Sequence, residues 1–254
     1  MFSYGQLNII FILSLIIFYF LHNKNMPQVL LLHGFTSHPL KVWGPLPARL
    51  EQAGFEVHAP TLRGHGTKPD DLAGVSAEDW LNDVRRAAEK LDPGYAVVGL
   101  SMGGLLAAYL AANDDPAALV AVVPALGFQN PLAPLAPYLA KIIRKMPGTN
   151  SISDPSLRKQ NPNYPYFPTQ AFVELLKLSR QAPGWLPRVR APALVVQAEM
   201  DRVIPRSAVR RYYELLGGGK QFWIAPDSGH DALLDRNAEL VAGKIVEWLR
   251  ENTL

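Results

Sequence analysis

Ser101 sits in Gly99-Leu100-Ser101-Met102-Gly103-Gly104, a run suited to covalent chemistry. The G-x-S-x-G spacing is that of a sharp, strained strand-to-helix turn that lifts a serine hydroxyl clear of the backbone. Small residues are needed two places before and two places after the serine, and Gly99 and Gly103 meet that need. A serine hydroxyl is a poor nucleophile at neutral pH. It needs a base, and the base needs a carboxylate to orient it. On a turn of this kind the partners follow along the chain as acid, then histidine. His230, in Asp227-Ser228-Gly229-His230, is the only histidine beyond Ser101. The acid belongs at the C-terminal end of the preceding strand, where the chain reads Ala198-Glu199-Met200-Asp201-Arg202. Asp201 is the candidate. Glu199 competes, but lies closer to the strand and is less free to reach a loop histidine. The plainer readings are a glycine-rich turn, an incidental loop histidine and an aspartate capping its own turn.

Such a set performs acyl transfer, whose tetrahedral intermediate places charge on the former carbonyl oxygen. Two backbone N–H donors are expected around that oxygen. One is Met102, just after the nucleophile; the other is Phe35, in His33-Gly34-Phe35-Thr36 after the first strand. His33 is read as ordering this loop by hydrogen bonds. Arg63-Gly64-His65-Gly66 has no metal-ligand partner at useful spacing, and His22, His38 and His58 form no cluster. HExxH, EF-hand, Walker and dinucleotide patterns are missing from the sequence. There are no cysteines, which excludes disulfides, thiolate zinc sites and cysteine nucleophiles. No metal and no cofactor are expected.

Positioning these groups requires elements that alternate. Gln28–Leu32, Phe55–Ala59, Tyr95–Gly99, Leu119–Pro124, Ala193–Gln197 and Gln221–Ile224 are short apolar runs, suited to strands buried on both faces of a parallel sheet. Helical periods lie between them. Ser76 followed by Asp79 predicts a capping-box start, with Trp80, Leu81, Val84, Ala88 and Leu91 on one face. A helix near Ala208–Leu216 is expected to end at Gly217 in a left-handed turn. Val241, Ile245, Trp248 and Leu249 mark the last helix. From about Asn130 to Pro187 no strand is evident, and the interval is rich in proline, with amphipathic pieces at Leu135–Met146 and Thr169–Leu178. A structureless loop of that length is unusual in a compact domain, so a helical insertion over the site is expected.

The chain has 254 residues, 48% hydrophobic and 19% charged, which suits a globular domain able to bury a core. The net charge is +3, and short basic clusters at Lys141 to Lys145 and Arg202 to Arg211 come without a nucleic-acid motif. They read as solvated faces, and no nucleic-acid partner is expected. Met1 to Leu21 carries no charged side chain, and residues 7–21 are almost wholly apolar. Three readings stay open for residues 1–25: a membrane anchor, a signal segment, or an extension preceding a true start at Met26. Membrane contact would run through residues 7–21. The protein would be cytoplasmic if it starts at Met26, and anchored or exported otherwise.

On these motifs the chain resembles the bacterial carboxylesterase and monoacylglycerol lipase branch of the α/β-hydrolases. The matching segments are His33-Gly34-Phe35-Thr36, Arg63-Gly64-His65-Gly66, Gly99 through Gly104, Gln197 through Asp201, and Ser228-Gly229-His230, spread across residues 28–250. The resemblance implies an α/β-hydrolase fold: a mostly parallel sheet, helices on both faces and a small helical cap. The core would comprise residues 26–129 and 188–254, and the cap residues 130–187. The triad would be Ser101, Asp201 and His230, with oxyanion donors at Phe35 and Met102. The first strand starts almost at once, so six or seven strands are expected rather than the common eight. The apolar N-terminus is not typical of that branch.

The expected function is hydrolysis of short- to medium-chain acyl esters, monoacylglycerols among them, through an acyl-enzyme. A thioesterase or amidase would use the same groups. A non-catalytic binding protein on this fold would typically lack a triad member, and this chain keeps all three. Haloalkane and epoxide hydrolases carry Asp at the nucleophile, so Ser101 argues against them. The stretch holding Leu132, Leu135, Tyr138, Leu139, Ile142 and Ile143 is expected to turn an apolar face inward. Leu135, Tyr138, Leu139 and Ile142, with Phe35, would then line an acyl pocket.

Overall fold

The computed structural model describes residues 26–253. In chain order the elements are β1 (Gln28–Leu32), α1 (Leu46–Gln52), β2 (Glu56–His58), α2 (Ala77–Ala88), β3 (Ala96–Leu100), α3 (Met102–Asn113) and β4 (Ala118–Val122). There follow α4 (Ala136–Leu139), β5 (Lys145–Pro147), β6 (Tyr166–Pro168), α5 (Thr169–Trp185), β7 (Ala193–Ala198), α6 (Arg206–Leu215), β8 (Lys220–Ala225) and α7 (Ala238–Thr253). All six strands expected from apolar runs are present. They form one sheet in the order β2-β1-β3-β4-β7-β8, every neighbour parallel.

Successive strand residues point to opposite faces, so an apolar run with no polar alternation must be covered on both sides. Leu30, Leu32, Val97, Leu119 and Val195 pack under α2, α3, α5 and α6. Val29, Leu31, Val98, Val120 and Val196 pack under α1 and α7. Each such side chain contributes about 1.5–3 kcal/mol relative to exposure. Helix α3 lies almost wholly inside, which is why its sequence shows no polar face.

Helix α2 begins as expected. The Ser76 hydroxyl accepts from the Asp79 N–H at 3.2 Å, and the Asp79 carboxylate accepts from the Ser76 N–H at 3.0 Å. Gly217 departs from expectation. Its φ is not positive, and the glycine is needed for closeness instead: a Cβ there would stand 2.2 Å from the Pro187 carbonyl oxygen.

The interval after β4 also differs from its sequence pattern. Leu135–Met146 holds only the four-residue α4, followed by β5, which pairs antiparallel with β6. Prolines at 134 and 137 stand at the start of the short helical turns here, where proline is tolerated, and α4 ends at Leu139 with no proline after it until Pro147. Helix α5 is no cap element on its core-facing side, because Leu175, Leu178 and Ala182 are buried in the main core beside α3. Among the described residues no helix is long and apolar enough to cross a membrane, and the apolar run at residues 7–21 lies outside them.

Candidate active site

Strand β3 delivers Ser101 at φ 55° and ψ −111°, a conformation that costs a non-glycine residue energy. The surroundings hold it there. The Ser101 N–H donates to the Val122 carbonyl at 2.9 Å, and the Ser101 carbonyl accepts from the N–H groups of Gly104 at 3.0 Å and Ala125 at 3.1 Å. The flanking glycines are required by space. A Cβ at Gly99 would lie 2.1 Å from the Gly103 carbonyl oxygen, and one at Gly103 would lie 1.7 Å from that of Leu32. Val123, just after β4, is a second strained position at φ 44°; the chain turns there toward Ser101.

Asp201 follows β7, and its side chain is fully buried. One carboxylate oxygen accepts from the N–H groups of Val203 at 2.7 Å and Ile204 at 2.9 Å. The other lies 2.9 Å from His230 Nδ1. Burial pushes the Asp201 carboxyl up, but the His230 imidazole and the two backbone donors outweigh it and hold the group below its ordinary value. Burial likewise pushes His230 down, and the Asp201 carboxylate, with Asp231 adding, carries it above its ordinary value. The competitor Glu199 points elsewhere: its carboxylate accepts from the Asp227 N–H at 3.0 Å.

The loop carrying Phe35 is built on two buried histidines. His33 Nδ1 lies 2.9 Å from the Gly34 carbonyl, and its Nε2 accepts from the Leu62 N–H at 3.2 Å. His65 Nδ1 lies 3.1 Å from the Arg63 carbonyl, and its Nε2 accepts from the Thr36 N–H at 3.1 Å. Both therefore carry the proton on Nδ1 and are neutral. Burial pushes His33 down to about 4 and His65 well below its ordinary value, the charge of His33 adding to the latter. Arg63 is fixed in turn by Asp79 and Asp83 on α2. The result is a rigid Gly34–Phe35 segment against the serine turn: a Cβ at Gly34 would stand 3.4 Å from that of Ser101. The Phe35 N–H has no backbone acceptor among the described residues, and Met102 opens α3, where a helix's first N–H groups have no carbonyl of that helix to bond.

Ser101 and His230 line one cavity of about 100 Å³. Its apolar wall is Phe35, Phe128, Phe167, Phe172 and Leu175; its polar side includes Asn163 and Asp231. Of the side chains expected to form an acyl pocket, Phe35 is there. Leu135, Tyr138, Leu139 and Ile142 are not. Tyr138 is 70% and Ile142 84% exposed, because the stretch that carries them breaks after α4 and turns its apolar side to solvent. The aromatic wall comes instead from both sides of the β6–α5 junction and from Phe128 after β4. The apolar periodicity of Thr169–Leu178 was a signal for it. Asn163, Asp231 and Asp235 had no such signal, since polar residues in loops read as solvated. A larger depression of about 540 Å³ lies between α1 and α7, lined by Arg49, Val246 and Arg250, far from this chemistry. Among the described residues no group of acidic or histidine side chains could hold a metal ion.

Residues 29–243 match the alpha/beta hydrolase family. The chain is 28% identical over 235 residues to a thermostable monoacylglycerol lipase of Bacillus sp. (strain H-257), covering 88% of this chain and 90% of the relative. It is 29% identical over 230 residues to a carboxylesterase of Bacillus subtilis (strain 168), covering 88% and 92%. A solved structure from work on LipS and LipT, two metagenome-derived lipolytic enzymes, superposes with a TM-score of 0.81 at 30% identity, covering 89% of this chain and 94% of that one.

Proposed function

The chain belongs to the alpha/beta hydrolase family, and from that premise we infer that it is a serine carboxylester hydrolase of the carboxylesterase and monoacylglycerol lipase kind. Ser101 Oγ attacks the ester carbonyl and passes its proton to His230 Nε2, the ring nitrogen not engaged by Asp201. Asp201 fixes the tautomer and stabilises the imidazolium. The amides of Phe35 and Met102 receive the oxyanion. The imidazolium then protonates the departing alcohol, leaving an acyl group on Ser101. Water, deprotonated by His230, attacks that ester and releases the acid.

The observation that carries this reading is that His230, whose Nδ1 lies 2.9 Å from Asp201, lines one cavity with Ser101. The substrate class follows from the walls. A closed aromatic side suits a short to medium acyl chain, monoacylglycerols included, and excludes bulky triacylglycerols. Each buried methylene contributes about 0.8 kcal/mol, roughly fourfold in kcat/KM, until the cavity is full.

A series of p-nitrophenyl esters from acetate to palmitate, with monoacylglycerols, a triacylglycerol and a thioester alongside, tests this. Activity is expected to peak at intermediate chain length. Ser101→Ala should lose covalent labelling by a fluorophosphonate and turnover by on the order of 10⁶. A tenth of wild-type activity remaining would overturn the nucleophile. A steady fall from acetate, or a rise through triacylglycerols, would overturn the acyl pocket; a dominant thioester rate would move the enzyme to thioester hydrolysis.

A further inference from the structure

Asp235 lies five residues beyond His230 in the same loop and is only 3% exposed. Its carboxylate accepts four backbone N–H groups. Gly229, directly before His230, donates at 2.8 Å, and Arg236 at 2.9 Å. Ser153 at 2.6 Å and Asp154 at 3.1 Å come from the insertion, more than 80 residues away in sequence. Burial alone would push this carboxyl up; the donors from Ser153 and Gly229 outweigh that and keep it ionised below the ordinary range. A carboxylate taking several backbone donors is a strong, directional junction.

A second tether lies beside it. Asp231, 2% exposed, accepts from the Asn163 side-chain amide at 3.3 Å to both oxygens. The two backbones are in direct contact as well: a Cβ at Gly229 would stand 2.3 Å from the Ser151 carbonyl oxygen. On its other side the histidine loop is bonded to the acid loop, Met200 N–H donating to the Ser228 carbonyl at 2.9 Å. His230 is thus held between the Asp201 loop and the insertion.

We propose that Asp235 is a positioning residue whose carboxylate fastens insertion residues 151–154 to the peptide before His230, so that the imidazole stays on Asp201 only while the insertion is seated. The inference rests on the triad reading given above. It makes the insertion part of the base's support as well as a wall of the cavity. The charged groups facing His230 are Asp201 and Asp231; Asp235 faces backbone donors, and beyond it Asp154 pairs with Arg236 at the surface at 3.1 Å.

The test is Asp235→Asn, with active sites counted by a fluorophosphonate so that misfolded molecules drop out. An amide cannot accept all four donors. Misplacing a reacting group by about 1 Å costs on the order of 10²-fold, so kcat per titrated site on p-nitrophenyl butyrate should fall about tenfold or more, with KM within about twofold. The acid limb of kcat/KM should also move to lower pH, because a loosened imidazole loses the carboxylate that raises it. Asp235→Glu should recover part of kcat. Arg210→Ala, which removes an exposed ion pair with Glu214 on α6, should match wild type. If Asp235→Asn does not fold, Asn163→Ala decides: it cuts the second tether and should lower kcat per site by about threefold or more. Wild-type kcat per site and an unmoved acid limb in these variants would overturn the proposal. A wild-type protein that neither hydrolyses esters nor labels at Ser101 would instead overturn the triad reading beneath it.

Discussion

Asp201→Asn separates the two jobs of that side chain. The oxygen bonded to Val203 and Ile204 N–H, at 2.7 and 2.9 Å, can remain an acceptor in asparagine. The amide nitrogen must then occupy the other position, 2.9 Å from His230 Nδ1. A donor there forces Nδ1 to accept, so the ring proton moves to Nε2, facing Ser101. The imidazole can no longer take the serine proton. The expected loss in kcat is about 10⁴-fold, about 5.4 kcal/mol at 1.36 kcal/mol per decade. Stability should change far less, because the turn bonds persist and one charged hydrogen bond is weakened. That costs about 1.5–3 kcal/mol, a Tm drop of roughly 3–12 °C for a chain of this size. Steady-state kinetics on p-nitrophenyl butyrate at 25 °C, beside a thermal melt, read both numbers. Glu199→Gln is the comparator: it disturbs only the partly exposed bond to Asp227 and should keep kcat within about twofold. If Glu199→Gln shows the 10⁴-fold loss and Asp201→Asn does not, the tautomer argument and the choice of acid are both wrong.

Acid should destabilise the fold before the carboxylates titrate. His33, held neutral by burial with a value near 4, and His65 beside it bind protons only when unfolded, so stability is lost as pH falls from about 6.5 toward 4. For His33 alone that loss is about 3 kcal/mol; the raised His230 and Asp231 bind protons more readily when folded and offset part of it. The measurement is therefore the Tm difference between wild type and His33→Asn, and a difference that stays constant from pH 7 to 4.5 would refute it. The raised His230 predicts a kcat/KM acid limb with its midpoint above 6.5, since the base must be neutral; a midpoint below 6 contradicts the Asp201 pairing. Phe172→Ala should shift the optimal acyl chain longer, gaining about fourfold per added methylene, whereas Ile142→Ser on the exposed side should alter no chain preference beyond about twofold. The reverse pattern would restore the residue 135–142 stretch as the acyl wall. A protein starting at Met26 should be soluble and active, because β1 begins at Gln28; an insoluble or inactive product would mean that residues 1–25 pack on the domain.

The sheet was legible because strands buried on both faces leave unbroken apolar runs, as in Val29–Leu32 and Ala118–Val122. The serine turn was legible because Gly99 and Gly103 meet neighbouring carbonyls at distances no side chain allows. The insertion was not. Leu135, Tyr138 and Ile142 share helical spacing, yet spacing cannot say whether an apolar side meets protein or solvent, and the helix ends at Leu139 after one turn. Residues such as Asp235 were hidden for a different reason. Their partners are backbone amides far along the chain, and a backbone donor leaves no mark in the sequence.

The parallel pairing of β4 with β7 joins residues 119–122 to 193–196 and makes everything between them a closed loop. The entropy of closing such a loop grows only with the logarithm of its length, about 0.6 kcal/mol per doubling. Residues from 130 to the start of β6 can therefore be lengthened or exchanged with little effect on the sheet's own stability. The limit lies at α5, whose Leu178 and Ala182 are locked in the core. The roof over Ser101 is thus free to vary in length up to the start of β6, and a graft that keeps the donors to Asp235 and the Asn163 amide on Asp231 should inherit a working base.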